Sequence, residues 1–514
     1  MSLLQTSHTA ANVKISLVPR CPWWRSAALG ALLLLALTMY PFLYSTAPPY
    51  NYADNFPFTP FLRVWMLSFL PYLAACALVL ATKPAPGRWR WIELGIILAG
   101  AFVLRALLLP LPPGLSRDSW RYLWDARVTL HGFSPYVYAP FNPALKPLAD
   151  TVLLPNMRFR TVPTIYPPGA QVVFLLSYLL AASNLFFLKG IFLLFDMITC
   201  GSLVVLLKRR RLDPARALIY AWCPLPIVEF AIQGHVDVIT LTFSILALLS
   251  ASNSSIRGRV LTGFLVGMAA LTKIYPILLL VVIMPGMLLD ANERGKPFYR
   301  SIRGRDYAML AVCFLTILLG YLPYYIMGHG QVLGFLRDYA NAQGENAGII
   351  QQFMHWLSYV FRWSFPQAVQ IEQIVSLICI ASISLLVFFL LLRKRMGMEM
   401  AVLILFGSIL AVSTHVFPWY NPILLLWIPV LIEPIWAGRR LPGKELAITT
   451  VWYFTCISIV GYFINSGGQN YIPGWTPYYL IAYVPLVLGL GIAAISGVIS
   501  MLNLQKGKQD ASHL

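Results

Sequence analysis

The chain has 514 residues, of which 59% are hydrophobic and only 11% charged, and its mean hydropathy is +0.71. A soluble globular domain carries about 45–50% apolar and about 25% charged residues, so this composition excludes one and points to an integral membrane protein. The formal charge of +19 would suggest a nucleic-acid partner in a soluble protein. In a polytopic membrane protein Lys and Arg gather in cytoplasmic loops instead, and no nucleic acid is needed to explain them.

Taken in chain order, apolar runs long enough to span a bilayer lie near 26–46, 63–82, 92–111, 188–207, 215–232, 238–252, 260–274, 275–289, 307–327, 370–392, 400–415, 420–436, 446–464 and 478–502. The first follows Lys14, Arg20 and Arg25 and is longer than the apolar region of a signal peptide, so it reads as a retained span. The run 166–184 is apolar enough to be counted as well, but charge argues against it. With the N-terminus inside and 166–184 left out, the basic loops at Lys83/Arg88/Arg90, Lys208–Arg211, Arg257/Arg259, Arg294 to Arg305, Arg393–Arg395, Arg439/Arg440/Lys444 and Lys506/Lys508 all fall on the cytoplasmic side. About 26 of the 38 Lys and Arg residues then lie inside. Adding 166–184 would invert every later loop, so this run is predicted to be a re-entrant or interfacial helix.

The expectation is an all-α polytopic membrane protein of about 14 transmembrane helices with both termini cytoplasmic. Residues 1–91 would form a tail and two leading helices, 92–436 a core with large extracytoplasmic loops at 112–187 and 328–369, and 437–514 the last helices and a short tail. A third outer loop, 465–477, is rich in Gly, Pro and Asn, which make turns. The seven cysteines, Cys21, Cys76, Cys200, Cys223, Cys313, Cys379 and Cys456, never fall in a CxxC spacing, so they indicate neither a zinc site nor a disulfide framework. They read as small core side chains.

Ionisable residues gather where they are costly. In SRDSWRYLWDARVTLHGFSPYVYAP, residues Asp118, Arg121, Tyr122, Trp124 and Asp125 recur at helical spacings, so one face of an interfacial helix presents two carboxylates that can act as base and orienting partner. A solvated amphipathic helix with neutralising Arg–Asp pairs would show the same pattern. EFAIQGHVDV brings Glu229, His235 and Asp237 together at a break marked by Gly234. Lys273 in LTKIYP is a compact cation suited to phosphate, or a lysine snorkelling at an interface. His415, Trp419 and Tyr420 straddle Pro418 between two spans, where aromatic anchoring alone would account for the rings. Lys189 and Asp196 read as an intramembrane pair or as residues packed beside other neighbours. The site candidates all come out near the outer boundary although they are spread over three hundred residues, which suits an enzyme acting on lipid-linked substrates better than a carrier with a midplane site.

In these stretches the chain resembles the GT-C superfamily of glycosyltransferases, in particular the polyprenol-phosphate-mannose-dependent mannosyltransferases of bacterial envelopes. The resemblance rests on Asp118 in SRDSWRY, HGFSPYVYAP, YPPGAQ at 166–171, LKGIFLLFD at 188–196, GHVD at 234–237, LTKIYP at 271–276 and FPWY at 417–420, in family order. It implies a GT-C-like helical bundle and an integral membrane hexosyltransferase. Such an enzyme would move a single sugar, mannose first among the options, from a polyprenyl-phosphate donor to a lipid or glycan acceptor at the extracytoplasmic face of the cell membrane. Transfer would invert the anomeric centre and use no cofactor and no metal.

By the same resemblance Asp118 is the general base, with Asp125 its rival because no DxD is present. The leaving phosphate would be met by Lys273, Arg121 or His415. Glu229, His235, Asp237, Tyr122, Tyr166, Trp419 and Tyr420 would be polar or stacking groups of the substrate site, with Trp120, Tyr136 and Tyr138 as further aromatic candidates. The alternatives are a flippase or transporter of lipid-linked glycans and a ligase taking a pyrophosphate-linked oligosaccharide.

Overall fold

The computed structural model describes residues 23–49, 57–292, 304–341, 346–437, 442–462 and 478–512. Lys14, Arg20, Cys21, most of the 294–305 basic cluster, Arg439, Arg440 and the 465–477 loop lie outside the described residues. Among the described residues there is no β-strand and no disulfide.

The two leading helices are α1 (Trp24–Thr46) and α2 (Thr59–Ala81). Gly87, at a φ of 53° that an L-residue resists, turns the chain into α3 (Arg88–Ala106). The expected interfacial helix follows as α4 (Asp118–Leu130). The debated 166–184 run forms only the 13-residue α5 (Pro168–Leu180), shorter than the roughly 20 residues that cross a bilayer. Then come the long α6 (Leu185–Arg209) and the pair α7 (Pro214–Ala221) and α8 (Pro224–Ile232), bent by 48° where Pro224 interrupts the ladder. The second turn of α8, Ile227–Ile232, is a π-helix. Next are α9 (Asp237–Ala251), α10 (Ile256–Ala270), α11 (Leu279–Asn292), α12 (Gly304–Met327), α13 (Leu336–Asn341), α14 (Ile349–Val360), α15 (Phe365–Leu392), α16 (Met398–Val412), α17 (Pro418–Ala437), α18 (Pro442–Ile457) and α19 (Val484–Ser512).

Each of the fourteen expected runs falls on a helix, yet by length and composition seven helices are able to cross a membrane, or eight if the bent pair is one span. Among the described residues, length and composition do not confirm the expected count of about fourteen. Runs near 238–252 and 400–415 give helices of 15 residues, which end early because Ser, Thr, Gly and Pro break the backbone. Broken backbone at membrane depth is tolerated when it is enclosed in protein, as at the ends of α10 and α18, where Thr272 and Ser458 are fully buried.

Outward-facing leucines and isoleucines such as Leu34, Leu70, Leu318, Leu377 and Ile495 are exposed, as lipid-facing positions are. Inside, one apolar cluster runs from Leu29 to Tyr462 and includes Trp65, Phe174, Tyr220 and Trp427. The leading helices belong to it, for Trp65 donates its indole N–H to the Pro224 carbonyl at 3.0 Å.

Asp196 does not pair with Lys189, seven residues earlier. The Arg105 guanidinium of α3 meets Asp196 of α6 at 2.5 Å, and the Tyr220 hydroxyl donates to the same carboxylate at 2.7 Å. Arg105 also donates to the carbonyls of Ala101 and Ala221, so a fully buried ion pair is surrounded by hydrogen bonds. Removing one partner leaves the other charge unpaired, at a cost of about 3–5 kcal/mol. We expect Arg105→Met to lower the thermal midpoint of the detergent-solubilised protein steeply, and Arg105→Met combined with Asp196→Leu to recover most of that loss. Equal stability of the single variant and the wild type would remove the pair from the account.

Candidate active site

Interior helix ends converge at one end of the bundle. The exit of α3, the start of α4, the breaks between α8 and α9, α10 and α11, and α16 and α17, and Gly461 and Tyr462 after α18 all contribute to a cavity of about 620 Å³, a volume in the range of small-molecule sites. At the opposite end lie the pairs made by the short basic loops: Arg25 with Asp213 and the Lys83 carbonyl, Arg210 with Glu399, and Arg259 with Asp306.

The YPPG stretch fixes one wall through backbone geometry. The Gly169 N–H donates to the Leu271 carbonyl at 2.8 Å, and a Cβ at Gly169 would stand 2.9 Å from that oxygen. Only glycine lets the start of α5 lie this close to the end of α10, which brings Tyr166 beside the turn that carries Lys273. The adjacent Thr272 hydroxyl bonds to Thr240 of α9 at 2.9 Å. Lys273 then reaches Asp237, the first residue of α9, at 3.2 Å, and its ammonium lies 4.6 Å from the centre of the Tyr420 ring. A cation over a ring face is attracted by its quadrupole, so Lys273 is held from two directions.

Asp118, at the first turn of α4, opens onto the cavity and accepts a hydrogen bond from the Tyr166 hydroxyl at 3.3 Å. Desolvation pushes its carboxyl above the usual aspartate range, while Lys273, the Tyr166 hydroxyl and Arg158 pull it back and Asp237 adds to the rise. Arg117 and Arg158 line the same cavity.

Asp125 is elsewhere. It is 1% exposed, does not line the cavity, and is joined to Arg121 at 2.7 Å and to the Gln171 amide at 3.3 Å. Of the two candidate carboxylates, Asp118 opens onto the cavity and Asp125 is engaged behind its wall. Arg121 departs from expectation too, although it borders the cavity. Its Nε is paired with Asp125, and its two Nη atoms donate to the carbonyls of Phe159 and Val162 at 2.8 and 3.0 Å, so it clamps the 159–162 segment and is not a free phosphate ligand.

His415 lines the cavity but is not a cation there. Its Nδ1 lies 3.0 Å from the Thr414 hydroxyl, and its ring stacks on Tyr339 with centroids 4.5 Å apart. Burial lowers its pKa to about 4, so at neutral pH it can hydrogen-bond to a phosphate without neutralising one.

Glu229 and His235 sit behind the wall, fully buried. The Tyr462 hydroxyl donates to the Glu229 carboxylate at 3.0 Å, and His235 Nε2 is 3.4 Å from it. The aromatic candidates have much of their surface taken. Trp419 is covered by Phe417 on one side (4.4 Å, 9°) and His235 on the other (4.0 Å, 11°). Tyr122 stacks on Phe174 at 4.3 Å with Tyr166 set edge-on. Both faces of Trp419 are thus taken up by neighbouring rings, although the residue lines the cavity. Trp120 is buried in the core, Tyr136 donates to the Tyr166 carbonyl at 2.6 Å, and Tyr138 packs on Phe133.

Residues not singled out from sequence complete the wall. Tyr339 bonds its hydroxyl to that of Tyr420 at 3.0 Å, and Tyr462 and Tyr478 line the far end. Tyr339 lies in the polar, aromatic stretch of the second outer loop, which marked the segment but not the residue. Among the described residues no group of three or more His, Cys, Asp or Glu side chains is arranged to hold a metal ion.

Residues 164–414 match the family model described as glycosyltransferase family 87, a family of the GT-C fold. No curated protein matches this sequence. Among solved structures, ArnT from Cupriavidus metallidurans bound to undecaprenyl phosphate aligns with 79% of this chain and 77% of its own at 13% identity, with a TM-score of 0.38, a likeness too loose to argue from. The matched stretch thus resembles a glycosyltransferase family of the GT-C fold.

One consequence of the lowered His415 pKa is measurable directly. Imidazole NMR of selectively labelled protein should show His415 neutral from pH 7 down to about 5, protonating near the value of about 4. Protonation close to pH 6.5 would return it to the set of phosphate-binding cations.

Proposed function

We propose that this GT-C glycosyltransferase transfers a single hexose, mannose in the first instance, from a polyprenyl-phosphate donor to a hydroxyl of a lipid or glycan acceptor at the extracytoplasmic face of the cell membrane. The observation that carries the reading is the pairing, in one cavity, of an accessible carboxylate, Asp118, with cations suited to phosphate, Lys273 and Arg158. The basic loops gather at the other end of the bundle, which by the positive-inside rule is the cytoplasmic end.

In this reaction the acceptor hydroxyl gives its proton to Asp118 while its oxygen attacks the anomeric carbon. The bond from that carbon to the phosphate oxygen breaks, and polyprenyl phosphate leaves with the electron pair. A single displacement of this kind inverts the anomeric configuration. Lys273 and Arg158 meet the charge that grows on the departing phosphate, and electrostatic stabilisation aimed at developing charge is the larger part of such catalysis. His415 and the Tyr339 and Tyr420 hydroxyls are neutral hydrogen-bonding groups on the same wall. Asp237 holds Lys273 in place, and its carboxylate is already engaged by that ammonium.

Purified protein supplied with labelled polyprenyl-phosphate mannose and an extracted lipid acceptor is expected to form a glycosidic product. Asp118→Asn should reduce the rate by about 10²–10⁴-fold, the usual contribution of a general base, while donor binding persists; Asp125→Asn should keep the accessible base. Transfer at the wild-type rate by Asp118→Asn would overturn the assignment, and donor translocation without product would favour a flippase.

The acid limb of the rate profile follows the same base. Only ionised Asp118 accepts the proton, so the rate falls as pH drops through a pKa that desolvation has raised. Lys273→Met removes a group that lowers that pKa, and the acid limb should move to higher pH as the donor KM rises. An acid limb that stays in place in Lys273→Met would separate Lys273 from Asp118.

A further inference from the structure

Outside the lining of the cavity, a lysine is buried without a carboxylate partner among the described residues. Lys189, near the start of α6, is 0% exposed. Its ammonium donates to the carbonyl of Leu111 at 2.6 Å and lies 3.4 Å from that of Ile232. Among the described residues no carboxylate stands within ion-pair distance of it. Keeping an ammonium at membrane depth on two carbonyls is costly, so its partners indicate what it is there to do.

The Ile232 carbonyl ends a helical stretch, where the backbone leaves acceptors without an intrahelical donor and carries the negative end of the helix dipole, and the Leu111 carbonyl lies in the turn beyond α3. Leu111 lies just past α3, seven residues before Asp118. Ile232 closes the π-helical turn of α8, five residues before Asp237. One buried lysine therefore gathers the two chain segments that lead to the two carboxylates of the site.

A second link joins the same segments. Gln233, 1% exposed, accepts through Oε1 from the backbone N–H groups of Leu115 at 3.0 Å and Ser116 at 3.3 Å. The next residue, Gly234, has a φ of 68°, and a Cβ there would stand 3.0 Å from Lys189 Cγ and 3.3 Å from Ser119 Cβ. Lysine, glutamine and glycine thus knit the 111–119 and 232–237 segments into a single buried platform.

We propose that Lys189 and Gln233 are positioning residues for glycosyl transfer: together they set Asp118 at a fixed offset from the Lys273–Asp237 pair, so that the base and the phosphate-binding cation address one anomeric carbon. Neither residue touches substrate. The inference rests on the reading of Asp118 as the base. It extends that reading by tracing the geometry of the site to a clamp outside the cavity.

The test is steady-state kinetics over pH with the polyprenyl-phosphate donor on purified wild type, Lys189→Met, Gln233→Leu and Gln233→Glu, each checked for a folded, monodisperse state. Lys189→Met and Gln233→Leu are expected to lose about 10²-fold in kcat, the scale of a misplaced reacting group, with little change in donor KM. Their acid limb should shift, because Asp118 changes its distance from the groups that act on it, namely Lys273, Asp237, Arg158 and the Tyr166 hydroxyl. Gln233→Glu keeps an acceptor oxygen for both N–H groups and should restore most of the rate. If Lys189→Met does not fold, the two Gln233 variants decide. Wild-type kcat and an unmoved acid limb in a folded Lys189→Met or in Gln233→Leu would overturn the clamp, as would an equal loss in Gln233→Leu and Gln233→Glu. A wild type that makes no product from the donor would overturn the functional reading itself and the clamp with it.

Discussion

The ion pair of Lys273 with Asp237 is the contact on which the site depends. It joins the turn after α10 to the first residue of α9, two breaks in otherwise apolar helices, at 3.2 Å. Neither break could face lipid, because unsatisfied backbone groups and a lone charge are both too costly there. The remaining walls answer to this pair. Gly169 brings α5 against Leu271, two residues before Lys273, Tyr420 lies under the ammonium, and Tyr339 is hydrogen-bonded to Tyr420. Asp118 feels Lys273 as its strongest favourable charge.

Charge is sorted between the two ends of the bundle. At the end away from the cavity, cations from the short loops are neutralised by specific carboxylates, as in Arg25–Asp213, Arg210–Glu399 and Arg259–Asp306. At the cavity end Arg121 is neutralised by Asp125 and Lys273 by Asp237, while Arg158 stands at the opening. Between the two ends the buried Arg105–Asp196 pair ties α3 to α6.

Much of this was legible in the sequence, and the limits of its legibility are physical. Polar residues interrupting apolar runs marked Asp118, Asp237, Lys273 and His415, and these line one cavity because helix ends of alternating direction bring them to one side. Two carboxylates seven residues apart on one helix could not be ranked by spacing. What separates them is the Arg121–Asp125 contact and the amide of Gln171, of which only the Arg–Asp spacing of four is visible in sequence. Stacking partners were invisible for the same reason, since the faces of Trp419 are covered by residues two and 184 positions away. The number of spans is not fixed by hydropathy, which cannot tell a full crossing from a short helix that ends inside the protein. Gln233 stood in plain view as a polar residue beside Gly234, yet its partners, the backbone N–H groups of Leu115 and Ser116, belong to another segment.

The central claim is that the base and the phosphate-binding cation of a lipid-donor glycosyltransferase share the cavity at the outer end of the bundle. A structure of the Asp118→Asn variant with an intact polyprenyl-phosphate sugar tests it most directly. The account predicts the donor phosphate within hydrogen-bond distance of Lys273 and the anomeric carbon facing residue 118. A donor bound at the opposite end of the bundle, or with its phosphate remote from Lys273, would contradict it.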